Sequence, residues 1–412
     1  MSKVRIGCLG GGQRGKTMTK TILNMCENVE IVAVCDLYED RAINLGEMVK
    51  EKTGTTPVVT TNPDEVIAME NVDAVMVFTA WESHVDLVVK CMRAGKYVAC
   101  EVGGAYSIHD CYRLVDTYHE TGTPCMLLEN CCYGRAELMV LGMVRQGLFG
   151  EIVHASGGYQ HELRGEIAGG IENRHYRLRN YLNRNCENYP THELGPIAKV
   201  LNINRGNRMV SLSSFASKSR GLNEFINQNP EKYPHLADAK FSQGDVVTTV
   251  ITCADGSTIV LSLDTTLPRL YSRGFTIRGT KAAYFEDTEM LYMDEQDVDG
   301  QEVDHFNPRK YWGSADKYKE EYKHPLWKKY EEKAKEAGHD GMDFMVLSAF
   351  FECVEKKALP PIDVYDMATW MSITTLSEDS IAMGGMPVSI PDFTGGKWIL
   401  PREKSDLEFA LD

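Results

Sequence analysis

A chain of 412 residues with 43% hydrophobic side chains is too long for one ordinary core and suggests two or three domains. Its 44 basic and 59 acidic residues leave a formal charge of −15, with the acids scattered along the chain, which argues against a protein that grips the nucleic-acid phosphate backbone. No apolar run approaches the roughly 18 residues that span a bilayer, so neither nucleic acid nor membrane is an expected partner.

Met1-Ser2-Lys3 leads directly into a strand, without the charged, apolar and small-residue order of a signal peptide or the paired arginines of a twin-arginine signal; a cytoplasmic protein is the expectation. From residue 1 to about 130, short β-rich runs at 4–9, 29–35, 58–60, 74–78, 97–100 and 125–128 alternate with helical stretches. This is the order of an α/β protein with a Rossmann doubly wound parallel sheet. The first strand, Val4-Arg5-Ile6-Gly7-Cys8-Leu9, runs into Gly10-Gly11-Gly12-Gln13-Arg14-Gly15, and the second, Ile31-Val32-Ala33-Val34-Cys35, ends in Asp36. Gly10 permits a tight turn, Gly12 removes a side chain where a pyrophosphate must approach the backbone, and Gly15 lets the following helix pack on its strand. The pyrophosphate then faces free helix N–H groups. Asp36 offers a carboxylate to both ribose hydroxyls and repels the extra phosphate of NADP, so NAD is the expected cofactor. Further along, Asn62-Pro63-Asp64-Glu65 reads as a capped helix start with proline at its first position, and Ser107 as the cap of a helix running toward Glu120.

After Leu148-Phe149-Gly150 the pattern changes. Runs at 151–161, 208–217, 245–253, 257–265, 272–278 and 281–286 read as strands with few intervening helices, an antiparallel-type arrangement. Helical periodicity returns at 342–357 and 366–383, and the segment 294–340, rich in Asp, Glu and Lys with Trp312 and Trp327, reads as a surface excursion. The expected division is a dinucleotide-binding domain at 1–130 and a second domain at 131–412 with C-terminal helices. Twelve cysteines form no CxxC pair, and several lie inside strands, among them Cys8, Cys35, Cys100 and Cys253. Free buried thiols are expected in place of disulfides or zinc, and no metal site is expected; the adjacent Cys131 and Cys132 read as packing.

Several separated phrases then converge. Thr79-Ala80-Trp81-Glu82-Ser83-His84, Gly95-Lys96-Tyr97-Val98-Ala99-Cys100-Glu101-Val102, Gly158-Tyr159-Gln160-His161 and Asn188-Tyr189-Pro190-Thr191-His192-Glu193-Leu194-Gly195-Pro196 together resemble the Gfo/Idh/MocA superfamily. That resemblance implies a second domain built on an open, mostly antiparallel sheet, and a homo-oligomer, dimer or tetramer, formed through its open face. Ordinary dehydrogenases of the superfamily carry Glu-Lys-Pro where this chain has Glu101-Val102-Gly103, and their lysine serves the hydroxyl being oxidised. With that departure, Asn202-Ile203-Asn204-Arg205-Gly206, Asp264-Thr265-Thr266, Tyr271-Ser272-Arg273, Gly341-Met342-Asp343-Phe344, Pro361-Ile362-Asp363-Val364-Tyr365-Asp366 and Ile390-Pro391-Asp392-Phe393 are similar to glycoside hydrolase family 109. That family contains NAD-dependent α-N-acetylgalactosaminidases.

The resemblance implies a redox-neutral cleavage of a small glycoside. Oxidising the sugar C3 hydroxyl to a ketone makes the C2 hydrogen acidic, so that its removal expels the C1 substituent; water then adds at C1 and C3 is reduced again. It also implies the site. His192, relayed through Tyr189, is the expected base for the C3 hydroxyl, Tyr159 the base at C2, and His161 the group that handles the leaving group or water. Glu129 is expected at the sugar hydroxyls or as an acid at C1, with Tyr271 and Arg273 reaching the sugar or its substituent. The expected cofactor contacts are Gly10, Gly12, Gln13, Arg14, Gly15, Asp36, Thr79, Trp81, His84 and Glu101. Helix capping is the alternative for His84, covering the core the alternative for Trp81. Tyr176, Arg177 and Arg179 read either as substrate contacts or as a solvated face. The competing function is a sugar or cyclitol dehydrogenase with net NADH formation, against which Val102 in the lysine position speaks.

Overall fold

The protein is described by a computed structural model covering residues 3–294, 303–401 and 403–412; positions 295–302 of the expected surface excursion lie outside the described residues. The chain gathers into two compact units. One comprises the described residues of Met1–Tyr133, Lys329–Ser372 and Arg402–Asp412, the other Gly134–Lys328 and Ile373–Pro401.

In the first unit, β1 (Val4–Leu9), β2 (Val29–Cys35), β3 (Val58–Thr60), β4 (Ala74–Val77), β5 (Tyr97–Cys100) and β6 (Cys125–Leu127) form one sheet in the order β3-β2-β1-β4-β5-β6. Every pairing is parallel. Helices cover both faces of such a sheet, which is why β4 and the end of β5 are buried at every residue and read as unbroken apolar runs. The strand order reverses direction beside β1, flanked by β2 and β4, so the loop that leaves β1 opens at the switch point where α/β sheets bind ligands. The expected caps are in place: Asn62 accepts from the Asp64 N–H at 3.1 Å and Ser107 from the Asp110 N–H at 3.2 Å. A single boundary at 130 would leave the helix Met342–Lys356 in the second unit, yet it packs in the first. The C-terminal segment joins it there, where the Tyr133 hydroxyl donates to the Phe409 carbonyl at 2.9 Å.

The second unit holds an eight-stranded sheet. Its members are β7 (Ile152–Gly157), β8 (Met209–Ala216), β9 (Val246–Cys253), β10 (Thr258–Asp264), β11 (Thr276–Gly279), β12 (Ala282–Phe285), β13 (Met290–Met293) and β14 (Val388–Ser389). The order is β13-β12-β11-β7-β10-β9-β8-β14, antiparallel throughout except for the central β7–β10 pair. The run expected at 151–161 leaves the strand after Gly157, and beyond it Gln160 bridges both Asp264 and Ser272. The run expected at 272–278 joins the ladder only at Thr276.

Two features correct the sequence reading. Between β7 and β9 the chain makes the helices Arg164–Ala168, Arg177–Asn183, Thr191–Val200 and Gly221–Asn227, more helix than the strand-rich pattern suggested. The expected surface excursion also contains the helix Pro325–Ala334. Trp327 on it is among the largest fully buried side chains, with the Arg135 guanidinium 3.9 Å above its ring. A buried tryptophan outweighs its charged neighbours, since burying a ring of that size contributes several times what a surface ion pair does. Trp312, by contrast, is 56% exposed. Among the described residues no helix is long and apolar enough to cross a membrane.

Candidate functional site

The glycine turn after β1 has the geometry a dinucleotide needs. Gly10 has φ of +106°, and a Cβ there would meet the Phe78 carbonyl at 2.6 Å. A Cβ on Gly15 would lie 1.9 Å from the Gly10 oxygen, so only glycine lets the helix Gln13–Met25 pack this closely on the turn. At Gly12, the N-cap of that helix, a Cβ would meet nothing nearer than Arg41 Nη1 at 3.6 Å. The glycine there leaves open space before the free helix N–H groups, where a pyrophosphate would lie. Asp36 follows β2 and is buried, its two oxygens accepting the Gly11 N–H at 2.6 Å and the Tyr38 N–H at 2.8 Å. These residues fit NAD: backbone donors for the pyrophosphate and a fixed carboxylate for ribose hydroxyls.

The remaining residues of the expected cofactor set divide. Gln13 opens the helix and is exposed. Arg14 is committed within the first unit, its guanidinium binding Glu101 at 2.7 Å and forking onto Asp343 at 2.7 and 3.0 Å. Asn130 donates to the same Asp343 at 2.9 Å. Burial would raise the Asp343 carboxyl, but Arg14 and His339 more than offset it and hold it well below the usual range; burial leaves Glu101 above its ordinary value. Asp343 was not singled out from sequence, because its partner lies 329 positions away. Thr79 is fixed by the Ser83 hydroxyl at 2.7 Å, and His84 Nε2 contacts the Thr79 carbonyl at 3.0 Å. His84 is fully buried, and that burial pushes its imidazole down to about 4. It is a neutral ring that donates to the loop after β4. Trp81 is buried against Gly103, where a Cβ would come 2.6 Å from its indole; glycine in place of the superfamily's proline makes room for that ring.

In the second unit, the expected catalytic side chains come together. Tyr159 and His161 lie two residues apart on an extended segment and so project to one side, with Tyr159 Oη and His161 Nδ1 hydrogen-bonded at 2.9 Å. Pro190 precedes the helix Thr191–Val200, which sets Tyr189 just before its start and His192 in its first turn. Tyr159 lies 4.3 Å from Tyr189 and 5.3 Å from His192 between ring centres, and Tyr189 meets His192 edge-on at 4.7 Å. Tyr271, half-exposed, stands edge-on to His161 at 5.1 Å. Of the basic-aromatic run, Arg179 is exposed and Arg177 is buried, its guanidinium 4.9 Å from the Tyr189 ring centre and 5.8 Å from that of Tyr159. Burial opposes that charge, yet Tyr176, Tyr159, Glu166 and Tyr189 hold it well above the ordinary arginine range. Burial, and then Arg177, lower the His161 imidazole, which is neutral at pH 7. Glu187, missed in the sequence, is buried two residues before Tyr189; burial pushes its carboxyl up to about 8. Arg273 is engaged by Glu137 at 2.6 Å and by Glu193 and Glu286 at 3.3 Å. Glu129 lies in the first unit after β6, fully buried and accepting the Cys131 N–H at 3.1 Å.

Comparison with known proteins settles the lineage. Residues 133–400 match the model of the glycosyl hydrolase 109 C-terminal domain, and residues 4–128 that of the oxidoreductase family with an NAD-binding Rossmann fold. The chain belongs to glycoside hydrolase family 109. It is 38% identical to a glycosyl hydrolase family 109 protein of Stenotrophomonas maltophilia, over 96% of this chain and 90% of that one. It is equally 38% identical to an α-N-acetylgalactosaminidase of Tannerella forsythia, covering 96% and 87%. Among solved structures, a levoglucosan dehydrogenase in complex with NADH and levoglucosan superimposes with a TM-score of 0.69 at 14% identity, over 95% of this chain and all of that one. The superfamily's two-unit fold is thus shared with dehydrogenases, whereas family membership makes this chain an NAD-dependent glycoside hydrolase.

Two outcomes follow. Asp36→Ala should weaken NAD binding roughly 10- to 100-fold, the worth of losing charge-assisted hydrogen bonds of about 1.5–3 kcal/mol, as read by calorimetric titration with NAD. Because the unfolded histidine takes up a proton near 6.5 and buried His84 only near 4, His84 contributes stability above pH 6.5 that is lost as pH falls toward 4. The unfolding midpoint of His84→Gln should therefore depend less on pH across that window, and an unchanged pH dependence would reject the assignment.

Proposed function

We propose that this enzyme hydrolyses a small glycoside, an α-N-acetylgalactosaminide in the first instance, by oxidation at C3, elimination across C1 and C2, addition of water and reduction at C3. The substrate follows the names of the relatives in Tannerella forsythia and Shewanella oneidensis, α-N-acetylgalactosaminidases at 38% and 35% identity. The observation that carries the chemistry is the hydrogen-bonded Tyr159–His161 pair, packed with Tyr189 and His192 beside the buried Arg177 cation.

Bound NAD supplies the reversible hydride transfer at C3. His192 takes the C3 hydroxyl proton, with Tyr189 edge-on to its ring as the relay partner. Once C3 is a ketone, the C2–H is acidic enough for a phenolate. Tyr159 passes its phenolic proton across the hydrogen bond to His161 Nδ1 and, as the phenolate, takes the C2 proton, with Arg177 placing positive charge beside it. The C2–H electron pair becomes the C1–C2 double bond as the C1–O bond breaks, and His161 manages the proton delivered to the departing oxygen. Water then adds at C1, the proton returns to C2 and the hydroxyl is restored at C3, so the net change is glycoside plus water to sugar plus alcohol. Glu129 keeps the role implied by the resemblance, binding sugar hydroxyls or donating at C1, and Tyr271 that of a sugar contact.

The enzyme is proposed to be cytoplasmic, in keeping with its free cysteines, eleven of which are buried. A homo-oligomer is proposed through the face of the second sheet that leaves Phe215 and Val250 exposed; light scattering at the mass of one chain would reject it. The central test incubates the holoenzyme with p-nitrophenyl α-N-acetylgalactosaminide in deuterated water. Nitrophenol should appear without accumulating NADH, and the released sugar should carry deuterium at C2. A fully retained C2 hydrogen would exclude elimination, and stoichiometric NADH without cleavage would instead mark a dehydrogenase.

A further inference from the structure

Tyr159 and His161 sit on one segment and Tyr189 and His192 on another, 30 residues later in sequence, so some feature must fix the second pair against the first. Pro196 weakens the obvious one. Lying inside the helix Thr191–Val200, it has no N–H to give the carbonyl of His192 four residues earlier, so the turn that carries the histidine lacks a rung of its own ladder.

Arg273 supplies the missing tie from both ends. Its backbone carbonyl accepts the Gly158 N–H at 2.8 Å, and the neighbouring Ser272 exchanges hydrogen bonds with Gln160 at 3.0 and 3.2 Å; the bonded residues 158 and 160 bracket Tyr159. Its guanidinium reaches the residue after His192, with Nε 3.3 Å from a Glu193 carboxylate oxygen, while Nη2 holds Glu137 at 2.6 Å and Glu286 at 3.3 Å. The Glu193 side chain is fully buried and that of Arg273 only 11% exposed. Gly157 completes the fit: a Cβ there would come within 2.7 Å of the Glu193 Cβ and 3.2 Å of the Arg273 carbonyl, so glycine at the end of β7 admits the glutamate stem.

We propose that Arg273 and Glu193 are positioning residues: through their buried ion pair, Arg273 holds the His192 turn in register with the Tyr159–His161 segment. This replaces the sugar contact expected of Arg273 from sequence. It rests on the reading of His192 as the hydroxyl base, and one arm of the experiment is independent of that reading.

Glu193→Gln is the gentler variant, since it keeps shape and leaves Arg273 two carboxylates; Arg273→Lys keeps the charge and loses the fork. Both are compared with wild type and His192→Asn on the p-nitrophenyl glycoside that the holoenzyme cleaves. Thermal melting and NAD titration accompany the kinetics. A shift of about 1 Å at a catalytic group costs on the order of 100-fold. Glu193→Gln and Arg273→Lys should accordingly lower kcat roughly 10- to 100-fold with KM within about twofold, displace the pH profile of kcat/KM, and leave NAD affinity unchanged. The independent arm uses protein labelled with ¹⁵N-histidine, in which His192→Asn assigns the His192 ring signals; these should shift in Glu193→Gln. An unmoved His192 spectrum overturns the proposal whatever His192 does in catalysis. So does a KM raised tenfold at unchanged kcat, which is the mark of a sugar contact. A kcat loss that merely tracks melting and disappears on assay at lower temperature also overturns it. If His192→Asn retains full activity while the spectrum shifts, the catalytic reading fails and the positioning stands.

Discussion

Between β10 and the chain at 271–273 runs a segment, residues 158–163, that belongs fully to neither neighbour. Gly158 and Gln160 bond to residues 272 and 273 on one edge, while Tyr159, His161 and Leu163 exchange backbone hydrogen bonds with Asp264 and Thr265 on the other. Both edges of the backbone are therefore satisfied, which leaves the side chains of Tyr159 and His161 free to be placed by geometry alone. The two-residue alternation of an extended chain then sets phenol and imidazole side by side. Arg177 can serve both tyrosines only because Tyr159 is fixed on its segment and Tyr189 at its helix start.

Proton chemistry at neutral pH asks for groups that change charge easily, and burial is how this protein tunes them. It lowers His161 and raises Glu187 toward neutrality, while the Arg177 cation persists because surrounding phenols and Glu166 outweigh its desolvation. The first unit uses the same currency for a different end. There Arg14 keeps Asp343 ionised against burial and draws Glu101 to the foot of the cofactor helix.

Much of this was legible in the chain. Strands of the parallel sheet announce themselves as short, β-branched, nearly unbroken apolar runs, because both faces are covered; the glycine turn follows from backbone conformations that few other residues tolerate. The clustering of Tyr159, His161, Tyr189 and His192 was legible only through family resemblance, since no spacing rule brings residues 30 apart into contact. What stayed hidden has a common cause. The carboxylate partners of Arg14 and Arg273 are set by tertiary packing, so no neighbour in sequence announces them. Trp327 misled for a related reason: its lysine- and glutamate-rich neighbours describe the outer face of a helix whose inner face holds the ring. The edge strands β13 and β14, four and two residues long, are too short to show a period.

The way Asp36 is held carries an evolutionary consequence. Its carboxylate is anchored by two main-chain amides, those of Gly11 and Tyr38, and these donors belong to the turn itself. Replacing the acid with a small neutral residue would thus do two things in one step: remove the negative charge that repels a ribose 2′-phosphate, and bare a pair of backbone N–H groups of the kind that form anion-binding nests. For a lineage built on this turn, the acid that would meet the ribose hydroxyls is thus also the group that covers the turn's own backbone donors.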